Sequence, residues 1–130
     1  FIYINMNNQS TQTYTRLKFE DNLSIIFIIL NLLNIRANAI IENAILTGDI
    51  SQISNALKIY RLIIVISILL YIYFVKRNYE FYIESKQKVN YDNTLEKIRL
   101  TGSVFILVGT ILLGYTIFKE KTPEGEAEVA

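Results

Sequence analysis

The chain contains no cysteine and no histidine. That removes thiol and imidazole nucleophiles, disulfides, histidine general bases, haem ligation and the usual zinc sites together. It also leaves the redox compartment unreadable. Tryptophan is absent, and there is one proline and one methionine. The net charge is only +1, so no long-range field marks nucleic acid as a partner. The sequence carries no Gly-rich phosphate loop, no paired catalytic carboxylates and no nucleophile elbow. These absences together predict a non-enzymatic chain with no cofactor and no metal.

What is present is apolar and clustered. The 130 residues amount to one domain, and 52% of them are hydrophobic. They gather in three segments, roughly 23–46, 59–75 and 100–118, each closed off by charge. Clustering of this kind belongs to a chain whose main solvent is a bilayer, not to a soluble core. The expected fold is an all-α integral membrane protein with three transmembrane helices. The usage of Ile, Asn, Tyr and Lys is that of an AT-rich coding sequence. Met6-Asn7-Asn8-Gln9 reads like a natural start, which would put residues 1–5 upstream of it.

Residues 1–22 read as a polar N-terminal tail, disordered to about Thr15 and then leading into the first helix, ending in Arg16, Lys18, Glu20 and Asp21. The first helix is expected over about 22–47. Its most apolar stretch, 23–35, spans only ~20 Å, so it must continue past Arg36 to cross a hydrocarbon core of ~30 Å. Gly48 suits the left-handed position after a helix. Asp49 and Gln52 have capping-box spacing for the second helix. That helix is expected to run on beyond the bilayer, with Lys76–Glu80 and Glu84–Lys88 at i,i+4. Tyr71, Tyr73, Phe74, Tyr79, Phe81 and Tyr82 crowd its exit beside Lys76 and Arg77, as a membrane–water interface favours. Residues 90–93 read as a turn, and Asn93 with Glu96 as a capping box for a third helix over 94–119. Residues 120–130 form a short acidic tail expected to be disordered.

Three spans place the N-terminal segment and the 76–99 loop on one side. Arg16, Lys18, Lys76, Arg77, Lys86, Lys88, Lys97 and Arg99 lie there, eight in all, against four (Lys58, Arg61, Lys119, Lys121) on the other. The positive-inside rule then predicts a cytoplasmic N-terminus and 76–99 loop, with the C-terminal tail on the opposite side.

Two faces are candidates for function. Ser24, Asn31, Asn34, Asn38 and Glu42 fall within about 80° of one helical face. Asparagine in hydrocarbon is costly without a partner, so this face should meet other helices or water. Arg36 lies on roughly the opposite face, where its stem can snorkel to headgroups or pair with an acid of another chain. On the third helix, Gly102, Ser103, Gly109, Thr110 and Gly114 are small residues that let helix backbones approach closely in lipid. The expected partners are the bilayer itself and other membrane subunits or further copies of the chain. The expected role is that of a structural or accessory subunit in a larger membrane assembly, a multi-subunit complex or the membrane layer of a virion. The alternative is a holin-like pore or small ion channel, with the Asn/Glu stripe lining water and Glu42 as its titratable group.

Overall fold

A computed structural model describes residues 2–120, with side chains from residue 10 onward. Phe1 and the acidic tail from Lys121, including Pro123, lie outside the described residues. Three helices follow one another: α1 over Ile2–Thr47, α2 over Ile53–Lys86 and α3 over Thr94–Lys119, with a single 3₁₀ turn over Ile50–Gln52. No strand occurs among the described residues. All three helices are long and apolar enough to cross a membrane. The protein is thus an all-α membrane protein with three spans. At 1.5 Å per residue the 34 residues of α2 reach about 51 Å, well beyond a ~30 Å core.

The chain divides into two compact units, residues 1–32 and 33–130, with the boundary inside α1. In the first unit the helix begins at Ile2, which corrects the expectation of a non-helical tail to about Thr15. Local pairs support the helix from Tyr14 onward. Arg16 and Glu20 lie 3.9 Å apart at i,i+4. The Lys18 ammonium sits 5.7 Å from the Tyr14 ring centroid, and Ser24 donates to the Glu20 carbonyl at 3.1 Å. The first glycine is Gly48 and the only proline is Pro123, so nothing earlier in the chain breaks the helix.

In the second unit α1 stops at Thr47, and Gly48 follows with φ +76°, where only glycine is unstrained. Asp49 then accepts from the Ser51 amide at 3.2 Å and from its hydroxyl at 2.5 Å. Gln52 makes no side-chain cap, so Asp49 holds the 3₁₀ turn and the expected reciprocal box does not form. α2 ends at Lys86, and Lys88 lies beyond it with its ammonium over the Tyr91 ring.

The box expected from Asn93 and Glu96 is likewise displaced. Asn93 makes no side-chain cap. Asp92 accepts from the Thr94 amide at 3.1 Å and its hydroxyl at 2.6 Å, while Glu96 accepts the Tyr91 hydroxyl at 2.5 Å. Donation from the Thr94 hydroxyl and then its amide holds the Asp92 carboxyl below its usual range. A carboxyl depressed in the folded state adds stability above its unfolded value and loses it as pH falls through the folded one. Amide protection in the first turn of α3 is therefore expected to drop as pH falls below the ordinary carboxylate range. Asp92→Asn should flatten that dependence in hydrogen exchange, and an unchanged profile would remove Asp92 as the cap.

α2 and α3 form an antiparallel hairpin. Leu57, Ile64, Tyr71, Asn78 and Ser85 recur every seven residues along α2, and all but half-buried Tyr71 are buried. On α3 the covered face is Leu100, Ser103, Leu107, Thr110, Gly114 and Ile117, alternating steps of three and four. Matched seven-residue repeats are the pattern of ridge-in-groove packing at a shallow angle. Gly114 makes the closest approach: a Cβ there would meet Ile64 Cγ1 at 3.1 Å and Ile68 Cδ1 at 3.6 Å. The hairpin is pinned at both ends. Arg61 Nη2 donates to the Glu120 carbonyl at 2.8 Å, and Asn78 Nδ2 donates to the Arg99 carbonyl at 3.5 Å. Arg61 and Asn78 are seventeen residues apart, about 26 Å along a helix, close to the thickness of the hydrocarbon.

Candidate functional site

The polar face of α1 is turned outward. Asn31, Asn34, Asn38 and Glu42 are all exposed, as is Arg36. Of these, Asn38 accepts a hydrogen bond from the Tyr60 hydroxyl of α2. That bond sets the depth of this part of α1. Tyr60 adjoins Arg61, which bonds the Glu120 carbonyl at one end of the hairpin, so Asn38 lies level with that end. Glu42 lies one turn further toward Gly48, and Asn34 one turn the other way, about 6 Å from Asn38. Among the described residues, Asn34, Arg36 and Glu42 have no hydrogen-bond or ion-pair partner.

The five small residues of α3 separate into three kinds. Gly114 is buried against Ile64 and Ile68 of α2. Ser103 and Thr110 lie on the same face and return their hydroxyls to their own helix, at Leu100 and Ile106, 2.8 Å each. Gly102 is exposed and Gly109 half-buried, and a Cβ added at either would meet nothing within 4 Å. The contact between the second half of α1 and the start of α2 also uses small residues. Ala37 and Ala44 of α1 and Ala56 of α2 are fully covered, and Ile53 is nearly so.

Sequence reasoning does not single out the most structured polar group, which lies where α2 and α3 leave the membrane. Tyr71, Phe74, Arg77 and Asn78 of α2 face Arg99, Gly102, Ser103 and Ile106 of α3 across a cleft of about 350 Å³. The Arg77 guanidinium lies between two rings, 4.8 Å from Phe74 and 5.9 Å from Phe81. Its Nη2 donates to Asn78 Oδ1 at 3.2 Å. Asn78 is only 7% exposed and spends its amide on the Arg99 carbonyl, so one buried side chain ties both arginine positions together. Arg99 stands out in the sequence only as a topology-setting charge, and Arg77 as that and as a charge beside the interfacial aromatics. The signal that pairs them is the seven-residue seam, which carries Asn78 in register with the apolar Leu57 and Ile64.

Among the described residues no three acidic, histidine or cysteine side chains gather to hold a metal. Compared with known protein families, curated proteins and solved structures, the chain matches none.

Proposed function

We propose that this small multi-pass membrane protein is a non-enzymatic accessory or structural subunit that docks within a larger membrane assembly. The observation that carries the reading is the exposure of Asn34 and Arg36 inside the span of α1 with no partner among the described residues. Water is absent from the hydrocarbon, so such groups favour a neighbouring helix that can bond them. The open approach at Gly109 supports it from the side of α3, because a second backbone can come close there without displacing anything. The partner is another membrane subunit or a further copy of the chain. In this reading the N-terminal segment and the 76–99 loop face the cytoplasm, and the C-terminal tail faces the other side.

The pore reading has less support. Glu42, its one titratable group, lies past the level of Asn38 and not deep in the span, so it would stand at a mouth and not in a constriction.

The test compares two substitutions on α3 in native membranes. Gly109→Leu blocks an open approach, whereas Leu112→Phe enlarges a side chain already 63% exposed. Copurification in mild detergent should fall at least fivefold with Gly109→Leu and stay near the parent level with Leu112→Phe. Equal, negligible effects would remove α3 from the docking surface. Bilayer currents from the purified protein that vanish with Glu42→Ala would overturn the subunit reading in favour of a pore.

A further inference from the structure

We propose that the cleft between α2 and α3 at Arg77 and Arg99 is a binding site for the phosphodiester headgroup of an anionic phospholipid. The proposal rests on the membrane reading of the chain and is independent of whether a protein partner docks elsewhere.

The cleft is amphipathic along its length. At one end stand Arg77, Asn78 and Arg99; at the other stand Tyr71 and Ile106. Seven residues separate Tyr71 from Asn78, about 10 Å along α2. The polar end falls where the apolar segments 59–75 and 100–118 meet their flanking charges, at headgroup depth. The apolar end points into the hydrocarbon. This is the polarity of a lipid, with a phosphate above and an acyl chain below. A free phosphate would have no use for the lower half.

The polar end suits an anion. A guanidinium presents donors in a planar fork that matches phosphate oxygens in pairs. The Arg77 side chain is oriented by the rings of Phe74 and Phe81 and by Asn78, which lowers the ordering cost of gripping a ligand. Arg99 lines the cleft from the facing helix and is exposed. Glu96, one turn before it, takes the Tyr91 hydroxyl. Gly102 keeps the cleft open between them, since a side chain there would extend into space that is now empty. The volume, about 350 Å³, falls within the ~300–1,000 Å³ of small-molecule sites. Basic pockets between transmembrane helices are a recurrent way of holding anionic headgroups.

The test uses the detergent-purified full chain and native mass spectrometry. Dioleoyl-phosphatidylglycerol and dioleoyl-phosphatidylcholine are titrated in turn. The anionic lipid should be retained one per chain at least tenfold more tightly than the zwitterionic one. Arg99→Gln should weaken it about fivefold, and Arg77→Gln with Arg99→Gln about 25-fold. Gly102→Leu should block retention without removing a charge, because it fills the cleft from its floor. Circular dichroism of Arg99→Gln and Gly102→Leu should match the parent chain, so their losses report the site and not the fold. Equal retention of the two lipids would overturn the proposal. So would unchanged affinity in both Arg99→Gln and Gly102→Leu. Displacement of the lipid by an equal concentration of glycerophosphoglycerol, the same headgroup without acyl chains, would overturn the lipid as the occupant.

Discussion

Replacing Gly114 with leucine is expected to destabilise the α2–α3 hairpin by about 1–3 kcal/mol, the usual cost of forcing a larger side chain into a packed contact. The geometry allows no easy escape. A first carbon at that position already stands 3.1 Å from Ile64 Cγ1 and 3.6 Å from Ile68 Cδ1. The further carbons of leucine would have to displace α3 bodily. In lipid this matters more than it would in water, because helix association there gains little from the hydrophobic effect and depends on close packing. Gly114→Ala should be milder, since only a flexible isoleucine branch has to yield. Gly102→Ala makes an internal control on the same helix, because its added methyl meets nothing within 4 Å. Reversible denaturation in mixed micelles would rank the three. Gly114→Leu within about 0.5 kcal/mol of the parent, a change expected of an ordinary surface substitution, would show that the contact does not hold the hairpin.

The contrast among the glycines shows where sequence reasoning reaches and where it stops. The third helix is readable to the residue, Thr94–Lys119, because a long uncharged run lies between a turn and a flanking lysine. Composition and spacing also place Gly48 and the turn at Asn90, since positive φ is a local property. Which small residues of α3 make contact is not readable from the glycines alone. Gly102 and Gly109 are seven apart and look like a face, yet the covered face is the one holding Ser103, Thr110 and Gly114. Only the matching repeat on α2 reveals this, and that comparison needs two helices in register. The cap of α3 is missed by one residue for a related reason. Asn93 and Glu96 have the right spacing, but the adjacent Asp92 reaches the Thr94 amide and Tyr91 occupies Glu96. A tyrosine five residues from a glutamate carries no obvious signal until the turn brings them together. The start of α1 escapes because polar composition reads as a tail, although Arg16–Glu20 and Tyr14–Lys18 stand at helical spacing. The Asn38–Tyr60 bond, which sets α1 against α2 one turn from Glu42, depends on the fold of two helices and lies beyond any one-dimensional pattern.

The other end of the hairpin yields the second large effect. Arg61→Leu is expected to release the last turn of α3 while leaving its first turn untouched. Arg61 Nη2 donates to the Glu120 carbonyl at 2.8 Å, and its guanidinium lies 5.7 Å from the Phe118 ring centroid. The terminal carbonyls of a helix have no partner within it and carry the negative end of its dipole, so a cation there is favourable twice over. Hydrogen bonds to charged groups contribute roughly 1.5–3 kcal/mol. At the membrane boundary the loss is compounded, because a carbonyl left without its donor must reach water or remain exposed to lipid. Leucine keeps the apolar stem and removes only the head, so the change reports the head. Arg61→Lys should recover part of the effect: it restores the charge but not the fork or the flat face over Phe118. Hydrogen exchange in micelles reads the outcome directly, since the Glu120 amide donates to Thr116 at 3.1 Å in the closed turn. Exchange near residues 116–120 should speed up at least tenfold in Arg61→Leu, with residues 94–97 unchanged. Uniform acceleration along α3 would mean that Arg61 supports the whole helix and not its end. No acceleration would mean that the carbonyl finds another donor, and the pin at this boundary would lose its role in setting where the hairpin meets the membrane surface.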